Sequence, residues 1–523
     1  MAKISDGEAS HLELISQLIT NFPACMGRLA DSGIVAVGER AAEIKRQLGD
    51  LTYDSDEIVY DSCGWNGGVF VDGAKRSYAP EGAPVGHAIF NTPGDRFRSC
   101  GTIEDWLEKV AAPLAGQLVA EFCFGVMFAG ILTSFTGFTV NPGLSLVGDT
   151  EDGKSLILIL ASSACGPPTS DNTGDGYLLS LSGTGNGIEE EMQNYVDMTM
   201  IFDEATAFGY GLSEKERGRA FIDVVYMLGN GKEKKRRGEH ARHFNFCYIT
   251  SSNNEASDII RGADTQEVVK AINSRLNSIN LKGRPNGVLD RLPPGLFNKG
   301  DFLGDLLTQA QRNYGVAMPH LLKQLVDRVA SDPDAFKELV LEHITDFRDV
   351  ATLGWPQKAS KRVLDNFGLI YAASSLAQHY GALPASFSPM DSTLACYRLH
   401  LASSLPPPRP VEIVAALLDD PEVEHLDRGQ RLDITVEQFA ALKAVKVVSP
   451  KYTELIMTAN AADRLFGGWS RAVRKDPDIA RIHKREGGRP DTYRNIRAAD
   501  RDRVVCFRIK PDWPFRRQLE PVS

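Results

Sequence analysis

The sequence predicts an α/β fold with a parallel sheet, and three short segments carry this prediction. Residues 144–147 are apolar and lead into a G-x-x-x-x-G-K-S loop, which a second apolar stretch follows. Residues 198–202 form another apolar run, which ends in Asp203 and Glu204. A third β-prone run, 244–249, is followed by polar residues. Strands that end in glycine-rich or polar segments are typical of a parallel sheet whose carboxyl-terminal edge carries a ligand site.

The loop at residues 148–155 has the pattern that binds nucleotide phosphates in P-loop proteins. Its glycines let the backbone wrap around the phosphates, and the first N–H groups of the next helix point at the anion. Lys154 would neutralise the β- and γ-phosphates of ATP, and the Ser155 hydroxyl would complete the shell of a Mg²⁺ ion. The alternative is a chance glycine turn, and acidic side chains in the loop would weaken nucleotide affinity. The predicted ATP-binding residues are Gly148, Asp149, Thr150, Glu151, Asp152, Gly153, Lys154, Ser155 and Leu156.

Polar residues at the ends of the next two predicted strands are candidates for the hydrolytic groups. Asp203 is expected to hold the Mg²⁺ shell, and Glu204 is expected to polarise the attacking water. After the third strand, Asn253 is expected to sense the γ-phosphate, with Ser252 and Asn254 as alternatives. We therefore predict ATP and Mg²⁺ as cofactors.

Two arginines are further candidates for contacts with ATP. Arg275 lies where many AAA+ ATPases carry an arginine that reaches the nucleotide of the adjacent subunit and stabilises the transition state. The alternative for Arg275 is a surface salt bridge. Arg362, near the start of a predicted lid helix, is a candidate for the γ-phosphate, with a plain surface position as its alternative. Along the chain come the phosphate loop, the strand that ends in Asp203 and Glu204 (the carboxylate strand), the strand before Asn253 (the sensor strand) and then an arginine. This is the order of an AAA+ module.

A basic segment separates the carboxylate strand from the sensor strand. Charge runs are usually solvated faces. In ring-shaped helicases of the superfamily 3 and MCM type, however, basic residues in this interval contact DNA phosphates. The predicted nucleic-acid contacts are Lys232, Lys234, Lys235, Arg236 and Arg237.

Composition limits the remaining classes of function. A net charge of −10 argues against a protein that coats nucleic acid over its whole surface. The eight cysteines form no C-x-x-C pair, so neither a zinc site nor a disulfide framework is predicted. Residues 118–140 are apolar but contain Glu121, which favours a buried helix over a membrane span. The N-terminus lacks the basic-then-apolar pattern of a signal peptide, and we expect a cytoplasmic protein.

Pattern and composition divide the chain into five predicted regions. Residues 1–52 are expected to be helical, and residues 53–112 to form a small β-containing subdomain. The AAA+-like core is expected at 113–300 and its helical lid at 301–405, before a proline-rich break. Helices and a basic hairpin in residues 411–523 predict a winged-helix-like domain that binds duplex phosphates, or else a solvated tail.

From about residue 55 to 385, the chain resembles the "domain of unknown function 927" family, helicase-like proteins of phages, plasmids and chromosomal islands. Its residues after the sensor strand differ from the Ser-Thr-Gly-Glu that this family more often shows. The resemblance implies a P-loop ATPase on mobile DNA. The matching segments are Cys100-Gly101-Thr102-Ile103-Glu104-Asp105-Trp106, the phosphate loop, Ile201-Phe202-Asp203-Glu204, Tyr226-Met227-Leu228-Gly229-Asn230-Gly231-Lys232, Tyr314-Gly315 and Phe367-Gly368-Leu369-Ile370-Tyr371-Ala372-Ala373.

Together these features predict a homo-oligomeric ring, expected to be a hexamer because Arg275 acts only on a neighbour's nucleotide. Its function would be helicase or translocase activity on single-stranded or forked DNA during replication of a mobile element. The alternative is a nucleotide-gated switch or assembly ATPase, for example in phage defence, without strand separation. A third interpretation is nucleotide binding without turnover.

Overall fold

The computed structural model describes most of the chain, with gaps. The described residues are 2–5, 10–13, 26, 29–30, 33–35, 37–49, 58–83, 86–88, 90, 94–169, 176–180, 185–204, 212–232, 243–260, 266–293, 295, 298–353, 359–404, 409–466, 473–474, 476–485, 492–497 and 502–513.

The chain divides into two compact units. Boundaries between the two units fall inside the predicted lid, residues 301–405, so each unit contains part of the lid. The first unit comprises Met1–Leu276, Leu281–Leu341 and Ala372–Ser392. The second comprises Asn277–Asn280, Glu342–Tyr371 and Thr393–Ser523.

The N-terminal region contains a β-hairpin where the sequence predicts helix. Strands β1 (Ala2–Ser5) and β2 (Ser10–Glu13) pair antiparallel, and helix α1 covers Glu39–Gly49. The helical prediction therefore fails for the two strands. The sequence signal for strands is polar–apolar alternation around Ile4 and Leu12, which is a period-2 pattern.

Short strands follow in the predicted β-containing region. They form a parallel pair, β3-β7, and an antiparallel three-stranded sheet, β4-β5-β6. The strands are β3 (Val59–Tyr60), β4 (Gly64–Asn66), β5 (Val69–Val71), β6 (Ser77–Tyr78) and β7 (His87–Ala88).

The apolar segment after this region is buried in the first unit. Helix α2 (Ile103–Trp106) is capped by the Thr102 side chain, and helix α3 covers Leu118–Met127. Buried Glu121 accepts hydrogen bonds from the N–H groups of Gly116 and Ser388. Burial raises the pKa of Glu121, and the two N–H groups oppose this effect. Within the described ranges, no helix combines the length and apolar character that crossing a membrane requires.

Four strands of the first unit are hydrogen-bonded neighbours in one sheet, in the order β8-β11-β10-β9. The pairs β8-β11, β11-β10 and β10-β9 are parallel, which confirms the predicted α/β class with a parallel sheet. The strands are β8 (Gly143–Val147), β9 (Leu179–Ser180), β10 (Thr199–Asp203) and β11 (Cys247–Ser252). Strand β12 covers Leu276–Asn280, of which Asn277–Asn280 belong to the second unit. The helices are α4 (Lys154–Ser162), α5 (Gly185–Met192), α6 (Glu214–Asn230), α7 (Ala256–Ile259) and α8 (Gln266–Asn273).

Helices dominate residues 299–404, as the sequence predicts. Gly315 separates the first two of them, and Asp332 ends the second. They are α9 (Lys299–Ala310), α10 (Ala317–Ser331), α11 (Pro333–Thr352), α12 (Lys361–His379) and α13 (Pro389–Ser404).

The C-terminal region has a larger sheet than the hairpin on which the winged-helix prediction rests. Six strands pair in the order β13-β14-β15-β18-β16, with β17 beside β18. The strands are β13 (Glu424–Asp427), β14 (Val445–Ser449), β15 (Tyr452–Met457), β16 (His483–Lys484), β17 (Thr492–Arg494) and β18 (Asp502–Ile509). The helices are α14 (Pro410–Asp419), α15 (Val436–Ala441), α16 (Ala459–Phe466) and α17 (Pro477–Ile482).

Some arginines of the basic C-terminal region are internal to this sheet. The carboxylate of buried Glu454 receives the guanidinium groups of Arg494 and Arg508, with closest distances of 3.2 and 2.6 Å. Arg497 pairs with buried Asp502 at 2.6 Å. Because carboxylates of the same sheet pair with these arginines, the arginines are less available to external phosphates than the basic composition of this region indicates.

Candidate functional site

The glycine-rich loop connects buried strand β8 to the first turn of α4. Gly153 has a φ of 84°, and a Cβ at this position would lie 2.9 Å from Val288 Cγ2, so glycine is required there. Glu151 also has a positive φ, 75°, which is unusual for a residue with a side chain. The N–H of Gly148 donates to the Ser252 carbonyl at 3.1 Å and ties the loop to β11. The loop is therefore held in a curved conformation with its backbone near the sheet edge.

The side chain of Lys154 is buried beneath this loop. Its ammonium donates to the carbonyls of Gly148 (3.0 Å) and Asp149 (2.6 Å) and to Asn253 Oδ1 (3.0 Å). Burial lowers the pKa of Lys154, although nearby carboxylates oppose the effect. All three ammonium protons thus point at neutral oxygens, which phosphate oxygens would replace with a stronger, charge-assisted interaction.

Three side chains meet at the carboxyl ends of β10 and β11. Asp203 Oδ1 accepts hydrogen bonds from Ser155 Oγ and Ser251 Oγ, each at 2.8 Å. The parallel registers Phe202↔Thr250 and Ser252↔Val147 bring these strand ends together beside the loop. The sequence pattern predicts Ser155 and Asp203 as partners but does not identify Ser251.

Glu204 has a strained backbone at the end of β10. Its φ is 45°, and its N–H donates to Ser251 Oγ at 3.0 Å. The residue is exposed and lines a cavity together with Lys154 and Ser155. A left-handed conformation at a glutamate that faces a cavity is the kind of strain that clusters at functional sites.

Asn253 is the sensor candidate that contacts the loop lysine. Ser252 Oγ donates to the Asn254 carbonyl at 2.5 Å and accepts from the Asn254 N–H at 3.1 Å, so this hydroxyl is engaged in a local turn. Of the three alternatives, Asn253 is the one whose side chain accepts a hydrogen bond from Lys154.

A cavity of about 680 Å³ opens at this edge of the sheet. Its wall includes a segment at the start of α9 that the sequence pattern does not associate with the loop. Lys299 Nζ lies 3.8 Å from Asp152 Oδ1, and Asp152 in turn accepts from the Asp149 N–H at 2.7 Å. The lining residues are Thr150, Glu151, Gly153, Lys154, Ser155, Leu156, Glu204, Ser251, Ser252, Asn253, Asn298, Lys299, Gly300 and Leu303.

The remaining predicted site residues lie elsewhere in the chain. The guanidinium of Arg275 stacks 4.6 Å from the centre of the Tyr226 ring, and its Nη1 donates to the Ala271 carbonyl. Arg362 is exposed on α12, in the second unit. Lys232 is exposed directly after α6. The other predicted DNA contacts, Lys234, Lys235, Arg236 and Arg237, lie outside the described residues.

The glycine-rich loop, Asp203 and Glu204 lie within a part of the chain that is similar to a known family. Residues 4–242 match the family model "Domain of unknown function (DUF927)". The resemblance to DUF927 is confirmed over this range. The DUF927 match includes Lys154, Asp203 and Glu204, but it ends before Asn253 and Arg275. No curated protein sequence matches the chain.

A solved structure described as "SCCmec type IV Cch - active helicase" has a similar fold. The superposition has a TM-score of 0.55 and covers 97% of this chain and 90% of that chain, at 14% sequence identity. At this identity the likeness concerns the fold, which is therefore shared over nearly the whole length of both chains.

Proposed function

We propose that the protein is an ATP-hydrolysing motor of the AAA+ type, a P-loop NTPase that acts on DNA as a helicase or translocase. The observation that carries the proposal is that Lys154, Ser155 and Glu204 line one cavity beside a glycine-rich loop. The hydroxyl of Ser155 is in turn hydrogen-bonded to Asp203. The likeness of fold to a helicase from a mobile element supports a role in replication of such an element.

The residues at the strand ends fit Mg²⁺. Ser155 Oγ and Asp203 Oδ1 are hard oxygen donors held 2.8 Å apart, and Mg²⁺ in nucleotide sites commonly takes one or two protein oxygens besides waters and phosphates. When bound, the ion would neutralise charge on the β- and γ-phosphates. Ser251 would keep Asp203 oriented through its hydroxyl bond.

The side chains of this cavity have distinct roles in the proposed hydrolysis. Lys154 binds the β- and γ-phosphates in place of its present carbonyl partners. Glu204 accepts a proton from water as the water oxygen bonds to the γ-phosphorus and the bond to the ADP oxygen breaks. Asn253 orients the γ-phosphate or the water through its amide. Leu156 and the loop backbone, from Gly148 to Gly153, cradle the remainder of the phosphate chain.

The proposal extends to a ring, expected to be a hexamer, in which Arg275 completes the neighbour's site and Arg362 reaches the γ-phosphate from the lid. Arg275 would have to leave or share its stacking on Tyr226 to do so. DNA would contact the basic segment from Lys232 to Arg237. A DNA-binding, winged-helix-like role for residues 411–523 belongs to the same proposal, supported by exposed Arg481, Arg485 and Arg503.

The test is ATP hydrolysis by the purified protein with and without single-stranded and forked DNA. Lys154→Ala is the blank, and a variant with neutral residues at Lys234, Lys235, Arg236 and Arg237 removes the basic segment. A DNA motor shows stimulation by DNA that both variants lose. Hydrolysis indifferent to DNA would refute the motor and favour a nucleotide-gated switch, and absence of hydrolysis would reduce the site to nucleotide binding.

A further inference from the structure

A second cavity in the first unit is built by segments that the ATP site does not use. Its volume is about 370 Å³. The N–H and carbonyl of Cys100 exchange hydrogen bonds with the carbonyl and N–H of Tyr314, at 2.8 and 2.9 Å. Ser99 Oγ donates to the Gly315 carbonyl at 2.5 Å. Two motifs of the family resemblance that are far apart in sequence, 100–106 and 314–315, are thereby joined at one cavity.

Glycine is required at both lining positions of this junction. Gly101 has a φ of 80°, and a Cβ there would lie 2.3 Å from Asn313 Oδ1. Gly315 has a φ of 65°, and a Cβ there would lie 2.3 Å from the Arg98 carbonyl oxygen. Close backbone approach with left-handed geometry explains why these segments carry glycine. This part of the cavity wall is consequently formed by closely packed backbone.

One cation of the cavity wall is fixed by hydrogen bonds. Arg76 Nε lies 2.6 Å from Asp72 Oδ2, while its Nη1 donates to Ser99 Oγ and its Nη2 to the Phe97 carbonyl, both at 2.8 Å. The guanidinium is therefore pre-oriented at the wall, and buried Asp72 balances its charge from behind. Pre-orientation reduces the entropy lost when a ligand binds.

A second cation at this wall has no such counter-charge. Lys323 is exposed on α10, and the structure gives it no ion pair among the described residues. One turn away, His320 Nε2 lies 3.0 Å from the Tyr380 carbonyl, so this nitrogen carries a proton. None of the described side chains that line the cavity is a carboxylate. The lining thus carries excess positive charge and the hydroxyl of Thr102, which suits an anion.

We propose that this cavity is a second ligand site, which binds the phosphate group of a small anionic molecule such as a nucleoside monophosphate. Its volume lies at the small end of the range for small-molecule sites, about 300–1,000 Å³. A guanidinium held by hydrogen bonds and an exposed ammonium that line the same cavity are a combination suited to phosphate oxygens. The site does not depend on ATP hydrolysis at the first cavity.

The test is equilibrium titration of AMP and of inorganic pyrophosphate into the full-length Lys154→Ala protein, whose proposed ATP site lacks its phosphate-binding lysine. Lys323→Glu is expected to weaken binding of both probes by about tenfold or more, because a charge-assisted contact becomes a repulsion. Lys323→Arg retains the charge and is expected to retain binding. Lys337→Glu, an exposed lysine on α11, is the matched control and is expected to change nothing.

Three outcomes would overturn the second site. These are absence of probe binding to Lys154→Ala protein, equal binding by the Lys323→Glu variant, and binding of a single-stranded oligonucleotide in place of both small probes. A failure of the proposed ATPase is seen separately, as absence of phosphate release by the wild-type protein.

Discussion

At the scale of a single residue, Glu204 combines a strained backbone with its proposed role as the general base. A φ of 45° costs a glutamate about 1 kcal/mol or more, whereas glycine adopts it freely. The conformation aims the residue at the cavity and lets its N–H reach Ser251. The strained backbone therefore lowers the stability of the fold but places a carboxylate at the cavity.

Replacement of Glu204 separates the strain from the chemistry. The Glu204→Gly variant is expected to be more stable than the Glu204→Gln variant, with a free energy of unfolding about 1 kcal/mol higher. The reason is that only glycine adopts this positive φ without strain. Both variants are expected to lose ATP hydrolysis. Denaturant unfolding measures the first effect, and equal stability of the two variants would contradict the strain.

Asp197, two residues before β10, makes the stability of the fold depend on pH. Its buried carboxylate accepts from Ser134 Oγ, Thr133 Oγ1 and the Trp65 N–H, yet burial raises the pKa of Asp197 to about 6. Between its ordinary pKa, about 4, and this value, the folded state binds the proton more tightly than the unfolded state does. The contribution of Asp197 is therefore most favourable at low pH and is lost as the pH rises through 6.

The substitution Asp197→Asn removes this titratable group and tests the direction of the pH dependence. The wild type is expected to lose on the order of 2–3 kcal/mol of unfolding free energy relative to Asp197→Asn as the pH rises from 4 to 7. Asp346→Asn, at an exposed position, controls for the loss of one carboxylate. Chemical denaturation across this pH range measures the difference, and a difference that stays constant would refute the assignment.

At the scale of elements, the order of the strands explains which residues of the site can be predicted from the sequence. Lys154, Asp203 and Asn253 follow predictable apolar runs, and parallel strands bring such ends to one edge. Ser251 lies inside β11, where nothing in the local pattern marks its hydroxyl for Asp203. Lys299 reaches the loop only through the packing of α9 in three dimensions, which local periodicity does not encode.

The boundaries and types of elements show the same limit. The sequence predicts a helix around residues 221–228 and a strand at residues 504–509, and α6 and β18 contain them. Long apolar patterns and β-branched runs are strong local signals. The sequence predicts a helix over residues 436–445, but helix α15 ends at Ala441 and β14 begins at Val445, where its valines pair with β15. The acidic partner of Arg494 and Arg508 is Glu454, which is distant in sequence and invisible to a count of regional charge.

Because α9 places Lys299 at the cavity wall, we expect this lysine to contribute to the binding of ATP. Lys299→Gln removes a positive charge from the cavity wall and leaves Asp152 less compensated, so both effects disfavour a polyanion. We expect the KM for ATP to rise about fivefold with kcat nearly unchanged. Lys337→Gln is the control, and an unchanged KM in Lys299→Gln would show that the ammonium does not reach the nucleotide.

At the scale of the whole molecule, the proposed ring requires that Arg275 and Glu204 act on the same nucleotide from different subunits. Arg275→Ala and Glu204→Gln are each expected to lose hydrolysis. A mixture of the two is expected to regain part of the activity, because some interfaces then combine intact Glu204 with intact Arg275. A mixture of Lys154→Ala with Glu204→Gln is the control, since each of its sites lacks one group within its own subunit.

Phosphate release from the mixtures, with oligomeric state checked by light scattering, measures this complementation. Absence of recovery in an assembled mixture of Arg275→Ala and Glu204→Gln would contradict the trans role. Arg275 would then be a structural residue that packs on Tyr226.

The most direct test of the central proposal is phosphate release from Mg²⁺-ATP by wild-type protein, Lys154→Ala and Glu204→Gln, without DNA. The arrangement of Lys154, Ser155, Asp203 and Glu204 predicts release by the wild type and a loss of at least about 100-fold in each variant. Glu204→Gln is expected still to bind ATP. No release by the wild type, or release by both variants at the wild-type rate, would show that this cavity is not an ATPase site.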